Sequence, residues 1–267
     1  MDVCVNNYIP TKKDESQFDY GPFFSTISRN RLEGFRIRVG GETTTYFDKH
    51  LFLNTYIGYG FRDKLPKGMA MLEYSLNDKK LYRVEFPVHS IKAYFKYDIG
   101  KVGESFVGYD NLLASLFSRA DDRNAIYQRE SGISYQNEFH NGFSWGADYL
   151  YKTLYSTWLT KFNRYNPDGS ITSIDDYSMS TFKVFFRYAP DEKFYQSRRF
   201  RYRLNAEKPV FLLSHTSSVK GFLGSAYSYN RTEASAEKRF WLSYFGYVDM
   251  FLKGTKVWND VPYTLLD

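Results

Sequence analysis

Ser180-Thr181-Phe182-Lys183-Val184-Phe185-Phe186-Arg187-Tyr188 repeats with a period of two. Phe182, Val184, Phe186 and Tyr188 fall on one face, and Thr181, Lys183, Phe185 and Arg187 on the other. Successive side chains of an extended chain point to opposite sides, so this stretch reads as a strand with one apolar and one polar face. The pattern recurs. In Gly34–Gly40, Phe35, Ile37 and Val39 oppose Arg36 and Arg38; in Ser90–Asp98, Ile91, Ala93, Phe95 and Tyr97 oppose Lys92, Tyr94, Lys96 and Asp98. In Arg199–Leu204, Phe200, Tyr202 and Leu204 oppose Arg199, Arg201 and Arg203. Further strands are expected over Pro22–Asn30, His50–Gly60, Gly68–Asn77, Asn124–Asn137, Phe143–Tyr151, Lys208–Ser218, Tyr227–Lys238 and Arg239–Lys253. That makes about a dozen in all.

Turn residues separate them. Gly40-Gly41-Glu42, Asp63–Gly68, Asn77–Lys80 and Asn163–Ser173 are the Gly, Pro, Asn and Asp clusters that reverse a chain. Only Tyr109–Arg123, through Leu112, Leu113, Leu116 and Phe117, offers a helix. No linker, low-complexity tract or exact repeat divides the sequence. The expectation is an irregular lead-in over 1–19 and one all-β unit over 20–267.

Composition narrows the class. Of 267 residues, 43% are hydrophobic, and 36 Lys+Arg stand against 30 Asp+Glu for a net +6. That balance does not fit a disordered chain. A single Cys excludes a disulfide framework and a multi-Cys metal site. The longest apolar runs are about five residues, against the roughly 18 a membrane helix needs. The start, Met1-Asp2-Val3-Cys4-Val5, lacks the basic and apolar regions of a secretory signal. The protein is then either cytoplasmic or begins inside a longer reading frame, and Cys4 is a chance free thiol.

A strand-built membrane protein is a different matter, since its strands need only about ten alternating residues each. Three features favour an antiparallel transmembrane β-barrel. Tyr and Phe gather near strand ends, as in Tyr56/Tyr59/Phe61 and Tyr244/Phe245/Tyr247, where an aromatic girdle would sit. Arg and Lys recur at strand centres on the opposite face, which suits a wet lumen. Finally, 25 Tyr, 24 Phe and 4 Trp give 20% aromatics in a chain of negative mean hydropathy, as when lipid meets only half of each strand. The rival is a soluble β-barrel that binds an apolar or glycan ligand.

Catalytic arrangements are sparse. The sequence carries no His-Glu-x-x-His pair, Gly-x-Ser-x-Gly elbow or phosphate-binding loop. His50, His89, His140 and His215 are scattered. Ser217-Ser218-Val219-Lys220 matches Ser-x-x-Lys only formally, because that pair needs a helix and these surroundings read as a strand. Asp121-Asp122 and Asp175-Asp176 are solvated loop charges rather than calcium ligands. Arg198-Arg199-Phe200-Arg201-Tyr202-Arg203 mixes cations and aromatics as a single-strand nucleic-acid site does, but alternation sends the rings away from the arginines. No enzyme activity, cofactor, metal or nucleic-acid partner is expected.

Longer segments carry a resemblance. Pro22–Ser28, Glu33–Thr44 and Tyr59–Asp63 form one block, and Arg187-Tyr188-Ala189-Pro190-Asp191-Glu192-Lys193-Phe194-Tyr195-Gln196 a second. A third comprises Leu213–Thr216, Lys220–Ser225, Tyr229–Glu233, Lys238–Ser243, Phe245–Tyr247 and Lys256-Val257-Trp258-Asn259-Asp260-Val261-Pro262-Tyr263. In this order they resemble an uncharacterised Bacteroidota family of outer-membrane proteins. Its members join an N-terminal carboxypeptidase-regulatory-like domain to a C-terminal β-barrel. The resemblance implies a Gram-negative outer-membrane location, contact with lipid and other envelope proteins, and a chain that is the middle of a longer protein. Lys220-Gly221-Phe222 is also similar to the Arg-Gly-Phe loop of the surface-antigen superfamily, whose basic residue reaches into the lumen. That similarity implies a lumen loop contact at Lys220, Gly221 and Phe222, although Lys lacks the bidentate fork of Arg.

Overall fold

A computed structural model describes residues 7–101, 124–165, 168–197, 199–204 and 208–259. The expected helix at 109–123, Cys4, Asp121-Asp122 and Arg198 lie outside the described residues.

Alternation becomes strands almost everywhere it occurs. In chain order they are β1 (Ile9–Pro10), β2 (Phe18–Tyr20), β3 (Ile27–Asn30), β4 (Gly34–Thr43), β5 (Leu51–Gly60), β6 (Pro66–Ser75), β7 (His89–Lys101), β8 (Ala125–Glu138) and β9 (Phe143–Tyr155). There follow β10 (Phe162–Tyr165), β11 (Ile171–Ile174), β12 (Asp176–Tyr188), β13 (Phe194–Gln196), β14 (Arg201–Arg203), β15 (Val210–Ser218), β16 (Tyr229–Trp241) and β17 (Tyr247–Val257).

Thirteen of these form one antiparallel sheet, in the order β1-β2-β4-β5-β6-β7-β8-β9-β12-β15-β16-β17 with β3 beside β4. The all-β expectation of about a dozen antiparallel strands holds. β2 and β3 run along β4 as one interrupted strand, so the lead-in drawn at 1–19 ends inside the sheet. Ser16 and Asp19 are fully buried there. The break expected between residues 238 and 239 lies instead at the 3-10 turn Ser243–Phe245, because Arg239, Phe240 and Trp241 stay in register with β17.

The sheet curls. β4 and β16 are eight places apart in the order, about 38 Å on a flat sheet with strands spaced about 4.8 Å apart. Yet Arg199 touches Glu42 on β4, Arg201 touches Glu138 on β8 and Arg203 touches Glu237 on β16. Three side chains from five consecutive residues reach all three strands only if the wall bends around them. The order has two free ends, so among the described residues the wall does not close.

Register then sorts the two faces. Phe182, Val184 and Phe186 on β12 align with Tyr149, Ala147 and Trp145 on β9. Lys183 faces Asp148 on the inner side, and Lys96 faces Glu130. Outward side chains stay exposed, with Ile57 at 70%, Ile133 at 56% and Phe182 at 52%. Inward acids are shut away, Glu73 at 0% and Glu42 at 1%. This inverts a soluble protein, which buries its aliphatic side chains and exposes its charges. Glycine assists at one crowded point: a Cβ at Gly132 would meet the ring of Tyr94 on the neighbouring strand at 2.5 Å, so that ring lies flat against bare backbone.

Candidate functional site

The site is the charged cluster that fills the inner side at one end of the wall. That end collects the connections after β4, β6, β8, β12 and β16. Two of them fold inward: residues 76–88 between β6 and β7, and the β13–β14 hairpin between β12 and β15. The lead-in adds Tyr8 and Asp19.

Alternation positions the arginines. Phe194 pairs with Arg203, Tyr195 with Tyr202 and Gln196 with Arg201 in the hairpin, which turns Arg201 and Arg203 to one side. Arg199 is nine-tenths buried and makes ion pairs with Asp19 and, at 2.5 Å, with Glu42. Arg201 holds Glu138 bidentately at 2.7 and 2.9 Å. Arg203 pairs with Glu237 and lies 3.8 Å from Glu192, whose carboxylate takes both nitrogens of Arg187 at 2.7 and 2.6 Å. Tyr195 and Tyr202 point away and are exposed. Tyr195 and Tyr202 are thus segregated from the arginines, on a short hairpin inside the wall rather than on a wall strand, whereas the Phe194 ring lies 4.5 Å from the Arg201 guanidinium.

Residues 76–88 complete the cluster. Arg83 pairs with Glu73 at 3.1 Å and Glu42 at 3.9 Å, and Tyr82 donates to both oxygens of Glu42 at 3.1 and 3.0 Å. Burial opposes the charge of Arg83, yet Tyr82, Glu42 and Glu73 outweigh it and hold the guanidinium protonated more firmly than usual. Burial pulls the Lys79 ammonium below the ordinary lysine range, and its Nζ donates to the carbonyls of Glu85 at 2.6 Å and Pro87 at 2.8 Å. Burial, then Glu42, push the Tyr8 phenol up to about 12, and its ring lies 4.4 Å from the Arg199 guanidinium. The two inward segments also touch each other: the Phe86 amide donates to Gln196 Oε1 at 2.6 Å.

Acids and bases here neutralise one another. Such a cluster locks segments in place rather than donating protons, because removing one partner strands a buried charge. A second inner cluster sits at the opposite end, where Lys67 Nζ meets Glu33 at 2.8 Å and Asp63 at 2.6 Å, and Tyr127 donates to Asp63 at 2.7 Å.

The remaining sequence candidates lie apart. His50 bonds Ser75 and Asp78, His89 bonds Tyr135, His140 packs on Phe86 and His215 bonds Thr232. Among the described residues no three His, Cys, Asp or Glu side chains are grouped to hold a metal ion. Ser217 Oγ donates to Asn230 on β16, and Lys220 stands in the following loop. Lys220, Gly221 and Phe222 are exposed at the rim, where the Lys220 amide donates to Ser228 Oγ at 2.7 Å.

A family model described as the C-terminal domain of a family of unknown function, DUF5686, matches residues 1–267. The chain belongs to this family. No curated protein matches it. In this DUF5686 domain, sequence reasoning missed Glu42, Glu73 and Glu138 as site residues. Glu73 sits at an inward position of an expected strand, and Glu138 lies one residue past the expected end of β8. Glu42 lies in Gly40-Gly41-Glu42, which reads as a turn but stays in β4 opposite Tyr56, Thr55 and Asn54. The missing information is which arginine from a distant hairpin meets them.

Proposed function

We propose that this domain forms the wall of an outer-membrane β-barrel in a Gram-negative bacterium, with lipid on its outer face. It serves there as a scaffold or conduit, without catalysis and without a nucleic-acid partner, and contacts other envelope proteins. One observation carries the reading: the outward face is aliphatic and aromatic and exposed, while the inward face holds buried ion pairs. A bilayer rewards that arrangement and water does not. Backbone groups inside the sheet are satisfied by neighbouring strands, as a spanning strand requires. No helix among the described residues is long and apolar enough to cross a membrane, which says nothing of a strand-built wall.

One feature favours the rival, a soluble β-domain holding an apolar ligand. Leu53, Leu72, Phe95, Ile133 and Tyr149 line a depression of about 420 Å³. It opens on the outward face, where an acyl chain of the bilayer would fill it equally well. Fractionation of native cells, probed with antibody to Asn163–Ser173, separates the two readings. Recovery in the outer-membrane fraction, released only by detergent, supports the barrel. Recovery in the soluble fraction overturns it in favour of the ligand-binding domain.

A further inference from the structure

Arg38 lies on the inward face of β4, between two charges that are already neutralised. Arg36 donates to both oxygens of Asp98 at 2.6 and 3.0 Å, and Glu42 accepts from Arg199. Arg38 has no ion-pair partner among the described residues. Its guanidinium lies 3.6 Å from the centre of the Tyr56 ring, and its Nε is shut off from solvent without an acceptor. A Cβ at Gly40 would meet Tyr56 Cβ at 2.5 Å, so the bare backbone of β4 leaves Tyr56 room beside it.

A second cation without an ion-pair partner among the described residues sits on the row of Tyr56, one inward position from that of Arg38, which is opposite Gly58. Tyr56 is opposite Met69, and Met69 is opposite Lys96. The next residue along, Glu130, is taken by Lys152 at 3.1 Å, and Lys96 has no ion-pair partner among the described residues. Tyr8, on the lead-in, is close enough to feel the charge of Arg38. Its phenol, pushed up to about 12, remains a donor at neutral pH.

A shielded cation without an acceptor is costly. Arg36 on β4 and Arg199, Arg201 and Arg203 of the hairpin segment each have a carboxylate, and among the described residues Arg38 is the inward arginine of β4 without one, which leaves it open to an added acceptor. The Nε and Nη edge of a guanidinium matches two oxygens of an oxyanion, and the ring beneath fixes its plane. We propose that Arg38, held over the ring of Tyr56 and with Lys96 adding positive charge to the same inner face, binds the carboxylate, sulfate or phosphate group of a small soluble solute. The site deepens the conduit reading by giving the class of solute, and rests on that reading only for how the solute arrives.

The test is equilibrium dialysis of radiolabelled sulfate against the full-length protein in detergent. Saturable binding is expected, displaced by inorganic phosphate and not by phosphatidylglycerol vesicles. Arg38→Ala should weaken it about tenfold or more, the loss of one charge-assisted pair. Lys96→Ala should weaken it less, and Arg38→Lys, which keeps the charge, should fall between wild type and Arg38→Ala. Folding of each variant is checked by far-UV circular dichroism. If the folded wild type shows no saturable binding, or Arg38→Lys and a folded Arg38→Ala both bind like wild type, the site is overturned. Displacement by the vesicles overturns the choice of a soluble solute. A protein that fractionates as soluble yet binds sulfate through Arg38 defeats the barrel and leaves this site standing.

Discussion

Two hairpins fold against the inner face, one at each end of the wall, and opposite physics holds them. The β13–β14 hairpin is tied down by Arg199, Arg201 and Arg203 to acids on β4, β8 and β16. The β10–β11 hairpin is held by Phe162, which stacks edge-on to Tyr177 at 5.1 Å and packs with Ile126, Leu154, Met179 and Tyr229. The apolar cluster is ordinary core, non-directional and tolerant of small shifts. The charged one is directional: each arginine must meet its own acid. The same wall therefore holds one hairpin by apolar packing and the other by paired charges, and only the second fastening is specific about which strand each residue meets.

Substitutions can break that contrast. Glu42→Ala should have the largest effect, since it leaves Arg199 and Arg83 short of a buried partner; about 3–5 kcal/mol is expected. The urea unfolding free energy of the full-length protein in detergent measures it. Phe162→Ala should cost about 3 kcal/mol through the cavity it leaves. Limited proteolysis should then cut near residues 162–174 while residues 194–204 stay protected. Equal loosening of both hairpins would mean that the two ends are not independent.

Milder changes sharpen the comparison. Asp63 belongs to the second charged cluster: burial would raise its carboxyl, but the bonds from Lys67 and Tyr127 outweigh burial and hold it below the ordinary range. A carboxyl depressed by folding adds stability above its unfolded value, near 3.8, and loses it as pH falls through the folded value. Asp63→Asn should remove that part of the acid sensitivity, seen as a flatter stability profile below about pH 4. Asp249→Ala should leave stability unchanged within error, because its pair with Arg239 is open to solvent. A measurable loss there would show that β16–β17 is covered in the full-length protein.

Much of the wall is legible in the order of residues. Phe35, Ile37 and Val39 against Arg36 and Arg38 declare both a strand and its two faces, because period-two spacing is local and needs no partner. The short strands are not legible. Asn163–Ser173 reads as turn material through Asn166, Pro167, Asp168 and Gly169, yet its flanks pair as β10 and β11. Four residues are too few for a period to register against the turn residues they enclose. Phe194–Gln196 is hidden for the same reason.

The site is half legible. Arg199, Arg201 and Arg203 stand out through their spacing, which assigns them to one face correctly. Their partners lie up to 157 residues away in sequence, and no local pattern ties Arg199 to Glu42.

Sequence alone determined that the chain is all-β, where its long strands run and which side chains share a face, since those follow from backbone geometry within a few residues. Tertiary structure alone decided that the wall curls, that the arginine hairpin lies inside it, and that, among the described residues, Arg38 is left without an acid where Arg36 has one. Those outcomes depend on how strands distant in sequence are placed around a common interior. Coulomb attraction and burial act on distance in space, which the order of residues does not record.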